Sequence, residues 1–266
     1  MISGISERNR KLLDDLNRTQ KGPFSAEEAK TVLRKSGRET SILLSYFARR
    51  GWLSRVRRGL YITVPLGTIN PQELKENPRI VANRVFAPCY IGGWSAAEYW
   101  EFTDQIFNSI VVFTLRKLRH KKTQIQGTDF ILRFVKEKYF GKTKTVWVDN
   151  EKIRLSDPLQ TIVDVLDTPS IGGGMRNVAE IVREYFRSQF RNDGSILGYI
   201  KAKNNRTIYK RLGYLIEACS IDAPALRKEC KQNISAGFSL LDPSIESKGI
   251  FNTTWNLRIN VDVVNK

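Results

Sequence analysis

Six arginines between positions 38 and 58, with Ser41 and Ser45 among them, have the residue types and spacing to grip a polyanion. Guanidinium groups present a planar fork of donors that fits phosphate oxygens and the guanine edge, and serine hydroxyls suit either partner. At about 100° per residue, Arg38, Ser41, Ser45, Ala48 and Arg49 fall on one side of a helix, and Thr40, Leu43, Leu44 and Phe47 fall on the other. The first side is small and basic and carries no acid. Ile42 lies at its rim, where it would either meet a thymine methyl group or, as the expected alternative, pack on a neighbouring helix. Arg50 closes the helix, and Arg55, Arg57 and Arg58 follow on a short alternating stretch that also holds Tyr61. Farther on, Arg176, Arg183, Arg187 and Arg191 recur at helical spacing, opposite much of an apolar stripe. They form either a second surface for a phosphate backbone or a solvated helix face.

Other chemistries find less material. Asp149, Glu151 and Lys152 are the residue types of a metal-dependent nuclease, which needs carboxylates on adjacent strands beside a lysine. Here a turn is the simpler placement. Asp157 reads as a helix cap and Asp164 as a polar helix residue. His120 is the single histidine and sits in the basic run Arg116 to Lys122, so it cannot join a multi-histidine metal site. Cys89, Cys219 and Cys230 are odd in number and widely spaced, which points to a reducing compartment and to buried, unreactive thiols. Gly172 to Gly174 precede a helix, but no Gly-Lys-Ser/Thr follows, so a tight connection is expected rather than a phosphate cradle. The reading is a protein that is not an enzyme, with no metal and no cofactor.

The elements that must position the basic residues are legible. Ser25 and Glu28 have the spacing of a capping box at a helix start. That helix is expected to end near Lys35 to Gly37, with Gly37 left-handed. A second helix, about Arg38 to Arg50, stops at Gly51. Trp52 to Val64 then alternates as a hairpin, with Val56, Leu60 and Ile62 toward a core, Arg55, Arg57 and Tyr61 outward, and Gly59 supplying the positive φ of the turn. A preceding helix over Ile5 to Leu16 completes three helices and a basic wing, the order of a DNA-binding winged helix-turn-helix.

The rest of the chain adds a second unit. At 266 residues, with 41% hydrophobic residues, two modest domains can each bury a core. The net charge of +17 favours a nucleic acid, since no apolar run approaches a membrane span and no signal peptide opens the chain. A cytoplasmic protein is expected. Pro65 to Pro78 interrupts both periodicities, giving a winged helix at 1–64, a linker at 65–78 and a mixed α/β domain at 79–266, an α+β protein overall. A short helix begins near Pro78, and Ser95 is expected to cap another. Strands are expected at Ile110 to Thr114, Phe130 to Val135, Thr145 to Val148 and, after a turn at Asp149 and Asn150, Lys152 to Leu155. Asp157 and Pro158 start a helix with Leu159, Ile162, Val163 and Leu166 inward. A longer helix carries Val178, Ile181, Val182, Tyr185 and Phe186, more helices run to about Gln232, and Phe251 to Val264 is rich in β-formers.

With these segments in place the chain resembles the AbiEi antitoxin family, the repressor component of type IV toxin–antitoxin systems. The resemblance rests on Arg50 to Tyr61 (RGWLSRVRRGLY), on Ser95 to Trp100 (SAAEYW) leading to Thr103, Asp104 and Gln105, on Asp157 to Asp164 (DPLQTIVD) with the following triglycine, and on Trp255 to Asn260 (WNLRIN). Their order and spacing carry it more than any single motif. Glu101 departs from the glycine common after the tryptophan, which should alter only how the local helix ends. Ser195 to Ser247 match less clearly.

The resemblance implies a winged helix that binds repeated sites in its own promoter, double-stranded DNA, and a C-terminal α/β domain needed for antitoxin activity. It also implies a nucleotidyltransferase-like toxin as functional partner, counteracted without a stable complex. The competing readings are a metal-dependent nuclease with a winged-helix reader and an architectural protein that binds DNA without preference for sequence.

Overall fold

The structure is a computed structural model and describes residues 5–65, 68, 70, 73–246 and 248–264. The N-terminal unit runs α1 (Glu7–Thr19), β1 (Phe24–Ser25), α2 (Ala26–Leu33), α3 (Gly37–Arg49), β2 (Leu53–Arg57) and β3 (Leu60–Thr63). The capping box at α2 is present in both directions, with Glu28 N donating to Ser25 Oγ and Ser25 N donating to Glu28. The end of α2 differs from expectation. Arg34, not Gly37, takes the left-handed conformation, at φ 52°. The reason lies three residues on, where Ser36 and Glu39 form a second capping box that makes Gly37 the first residue of α3. With positions 36 and 37 committed to starting a helix, the reversal has to occur before them. β1 is a further strand, paired with β3 through Phe24↔Tyr61 and Ser25↔Leu60, and two residues are too few to show alternation.

The larger part continues with α4 (Pro78–Phe86), β4 (Cys89–Ile91), α5 (Trp94–Tyr99), β5 (Ser109–Thr114), β6 (Lys122–Ile125), β7 (Thr128–Phe134), β8 (Thr143–Val148) and β9 (Glu151–Ser156). Then come α6 (Pro158–Asp167), α7 (Met175–Arg187), α8 (Asp193–Lys203), α9 (Thr207–Ala218), α10 (Pro224–Asn233), β10 (Ser239–Leu240), β11 (Ile250–Asn252) and β12 (Leu257–Ile259). Strands β4 to β9 form one mixed sheet in the order β6-β7-β5-β4-β9-β8, parallel where β5 meets β7 and β4 meets β9. Four of these strands fall where alternation places them. β4 is buried throughout and β6 is short and mostly polar, so neither shows an alternation of apolar and polar residue types. The fold is thus an N-terminal winged helix-turn-helix followed by a larger mixed α/β part.

Each face of the central sheet is covered at its middle strands. One face, with Cys89, Ile91, Val112, Ile153 and Leu155, packs on α4 through Val81, Ala82 and Val85, and the same cluster takes in Val56, Leu60 and Ile62 of the wing. The underside of the wing therefore rests on the second half of the chain and not on its own helices. Ser54 Oγ ties down the connection between the halves by donating to Leu74 O at 3.0 Å. Of that connection, Leu66, Gly67, Ile69, Pro71 and Gln72 lie outside the described residues. On the other face Tyr90 stacks on Phe113, with centroids 4.7 Å apart, and α6 to α10 build the largest core beyond. Trp255 closes that core against Gly213, where any side chain would run into the indole.

Three local details modify the sequence reading. Ser95 is not a cap. Gly93 begins α5 at φ 58°, and the Ser95 hydroxyl instead accepts from Val111 N at 3.0 Å and binds α5 to β5. Glu101 sits in the left-handed region at φ 60°, at a position where a glycine would carry no steric cost. Asp157 does cap α6, accepting from Gln160 N at 2.8 Å, but Asp164 is no surface residue. It is fully buried and accepts from Gln160 Nε2 and Lys203 Nζ, each at 2.8 Å, and from the Tyr90 hydroxyl at 3.3 Å.

Candidate nucleic-acid interface

Helix α3 owes its orientation to three buried side chains, Thr40, Leu44 and Phe47, which sit in the core of the winged helix with Leu13, Leu16, Phe24 and Leu53. That leaves Arg38, Ser41 and Arg49 exposed and Ser45 half-buried. Ser41, Ile42, Ser45, Ala48 and Arg49 of α3, with Arg55 of β2, line one open groove. The helix face expected from the sequence and the first wing arginine are therefore adjacent in space. Ile42 corrects the sequence reading. It is 60% exposed and belongs to the groove, so it does not pack on a neighbouring helix. Glu39, the one acid in α3, is held at the helix start by hydrogen bonds from the Ser36 side chain and backbone, which keep its pKa below the usual carboxylate value.

Tyr61 also differs from expectation. A two-residue period sends it outward with Arg55, yet only 3% of it is exposed. Two facts account for this. Tyr61 keeps the face of its partner Arg55, but that face lies on the core of the winged unit with Leu44 and Phe47, and β1 brings Phe24 against the tyrosine ring, with centroids 6.5 Å apart. Both faces of the small sheet are consequently occupied, one by α4 and one by the helices of the winged unit. Only the Tyr61 hydroxyl reaches the groove. It lies 3.3 Å from Ser45 Oγ and accepts from Arg55 Nη2 at 3.3 Å, while the Arg55 guanidinium lies 5.5 Å from the ring centroid. Tyr61 is thus a support for Arg55 and Ser45.

Arg57 and Arg58 are exposed at the hairpin tip, next to Gly59 at φ 78°. Arg50 lies over the Tyr46 ring at 5.5 Å, at the end of α3. Ser41 Oγ donates back to Gly37 O at 2.9 Å, which leaves its oxygen to accept from an incoming donor.

The second basic stripe is more constrained than its spacing suggests. Arg187 pairs with Glu184 at 2.8 Å, and Arg191 donates to both oxygens of Asp193 and to Asp222 O. Arg176 donates to Asp262 O at 3.3 Å, and Arg183 is half-buried. The triglycine makes the tight connection expected of it. Gly173 and Gly174 take φ 84° and 88°, and Asp242 already occupies the start of α7, accepting from Met175 N at 2.7 Å.

The carboxylates of the nuclease reading do not converge. Asp149 is the turn residue between β8 and β9 and accepts from Asn77 Nδ2, and Glu151 accepts from Arg84 Nη2 at 2.6 Å. Lys152 belongs to the opposite face of β9 by alternation. Among the described residues no three His, Cys, Asp or Glu side chains are grouped to hold a metal. Burial pushes the thiols of Cys89 and Cys230 up to about 12, away from nucleophilic use. No helix among the described residues is long and apolar enough to cross a membrane.

Residues 11–64 match the family model of AbiEi antitoxin transcriptional regulators, in agreement with the resemblance read from the sequence. A solved structure similar over nearly the whole chain is that of the RV2827C protein from Mycobacterium tuberculosis, with a TM-score of 0.72 and 13% identity over 98% of this chain and 94% of that one. At that identity the likeness establishes the fold alone. No curated protein matches the chain.

Proposed function

We propose that this chain, whose winged helix is that of an AbiEi antitoxin transcriptional regulator, represses its own toxin–antitoxin operon and antagonises a nucleotidyltransferase-like toxin. Residues 1–64 read double-stranded DNA at repeated promoter sites, 65–78 connect, and 79–266 carry the antitoxin activity without a stable toxin complex. The observation that carries the DNA reading is the groove in which the outward side of α3 meets Arg55, with no carboxylate among its lining residues. Base contacts fall to Ser45, Arg49, Ile42 and Ser41, and backbone contacts to Arg38, Arg50, Arg55, Arg57 and Arg58. Tyr61 acts through Arg55. In the second stripe Arg176, which donates to a backbone carbonyl, and the half-buried Arg183 are the candidates for a further phosphate contact.

The test is binding of the full chain to the DNA upstream of its own gene and to a scrambled duplex over a salt series. A regulator retains a large affinity ratio between the two. Equal affinities with a steep salt slope would establish an architectural protein instead. For the second half, the toxin encoded beside the gene is co-expressed with residues 65–266. Survival of those cells together with lost promoter repression is the expected outcome.

A further inference from the structure

A second surface, built from none of the groove's residues, carries the chemistry of a base-stacking platform. β8 is an outermost strand of the central sheet and pairs antiparallel with β9 through Trp147↔Lys152 and Thr145↔Arg154. Cross-strand partners project to the same face. That face therefore gathers Trp147, Lys152, Thr145 and Arg154, all exposed, while Ile153 and Leu155 go to the buried side and Glu151 turns the same way to its ion pair with Arg84. Trp147 is 64% exposed, with Lys152 Nζ 5.0 Å from its ring centroid. Neither Lys152 nor Arg154 is paired with a carboxylate among the described residues.

A second aromatic–lysine pair comes to this side of the sheet. Tyr90 and Arg154 are register neighbours, because Ile91 pairs with Leu155 across β4 and β9. Phe140 meets Tyr90 edge-on at 5.1 Å and so anchors the segment Lys136 to Lys142 there. In it, Lys138 Nζ lies 4.7 Å from the Tyr139 ring centroid. Between Lys136 and Trp147 the sequence holds four lysines against one acid, Glu137.

An indole set among cations is a poor apolar anchor for a protein partner but a good seat for a base whose own charge-bearing chain lies over lysines. A duplex has no free base faces to offer it. We infer that the outward face of the β8–β9 ribbon binds single-stranded nucleic acid, with an unpaired base stacked on Trp147 and the backbone on Lys152 and Arg154. This goes beyond the duplex reading at α3 and uses none of its residues.

The experiment uses the full chain with Arg49→Ala and Arg55→Ala, two exposed positions, so that the groove is silenced. Labelled oligouridylate and oligothymidylate of about 12 nucleotides are titrated in about 0.1 M salt. Both should bind and quench tryptophan fluorescence. Trp147→Ala should weaken binding about tenfold or more, Trp147→Tyr should retain most of it, and Lys152→Gln should shallow the salt slope by about 0.7. A preference between the two oligonucleotides would identify the natural strand as RNA or DNA, and equal binding would mark a platform blind to the sugar. In the otherwise unaltered chain, Trp147→Ala should leave operator duplex binding unchanged, which separates this test from that of the groove. Failure of both oligonucleotides to bind, or equal binding by Trp147→Ala, would overturn the inference.

Discussion

The hydroxyl of Tyr61 stands 3.3 Å from Nη2 of Arg55, and the guanidinium rests against the same ring at 5.5 Å. A buried side chain thus fixes the direction of an exposed one. Because the hydroxyl also meets Ser45, β3 and α3 share one hydrogen-bonded junction. Tyr61→Phe keeps the ring and removes the hydroxyl from the junction, leaving the bond from Arg55 Nη2 to Ser45 Oγ at 3.5 Å. It should leave the melting temperature within a few degrees and cost on the order of 1 kcal/mol in operator affinity, about fivefold, read by fluorescence anisotropy.

The groove and the wing tip should separate in their effects. Arg49→Ala or Ile42→Ala should cost about 1–3 kcal/mol on the operator and relax preference at particular base pairs. Arg57→Ala or Arg58→Ala should weaken operator and scrambled duplex alike, and each should shallow the salt slope by about 0.9. Unchanged binding after both tip arginines are replaced would remove the wing tip from the interface.

The shared core beneath the wing predicts a coupling between the halves. Val56, Leu60 and Ile62 lose their cover if the chain is cut after Val64, because Val81, Ala82 and Val85 supply it. The fragment 1–64 should therefore melt well below the winged helix in the intact chain and bind DNA weakly. Leu60→Ala in the full chain should cost about 2–5 kcal/mol. Equal amide-exchange protection of α3 in fragment and full chain would contradict this.

The buried pair of Asp164 and Lys203 gives a pH prediction with a definite sign. Burial raises the Asp164 carboxyl, and the Lys203 ammonium opposes that rise. Lys203→Met leaves the carboxyl in a dry site and should cost about 3–5 kcal/mol near neutral pH. A carboxyl whose folded pKa lies above its unfolded value favours folding in its protonated form, and that advantage disappears as pH rises through the folded pKa. The variant should thus recover stability relative to the parent as pH falls toward the ordinary carboxylate range, followed by urea denaturation. A deficit independent of pH would mean that Asp164 stays neutral throughout.

Glu101→Gly tests the departure from the glycine common at that place. Its φ of 60° costs a residue with a Cβ on the order of 1 kcal/mol. The substitution should raise the melting temperature by a few degrees, since relief in the folded state exceeds the entropy gained by the unfolded one.

What the sequence disclosed and what it hid divide along physical lines. Caps and periodicity are local, so α1, the box at Ser25, the outward face of α3 and the strands β5, β7, β8 and β9 could be read directly. The second box at Ser36 was equally local, and the Ser36–Glu39 spacing is the signal that would have moved the turn from Gly37 to Arg34. Tyr61 and Ile42 depended on nonlocal partners. Alternation gives two faces to a strand but does not say that both will be covered, and helical angle places Ile42 at a rim without saying whether another helix is there. The ion pairs that engage Arg187 and Arg191 were likewise invisible to spacing, although Glu184 and Asp193 stand close by in the chain.

The seat of Trp255 against Gly213 sets an order in time. The winged helix has all its residues by Thr63, whereas the helical core of the second half lacks its closing side chain until Trp255 has been added. Domains fold as they emerge, the N-terminal one first. A nascent chain would thus carry every residue of the groove before it carries the α4 cover beneath the wing, and both before it can close the second core.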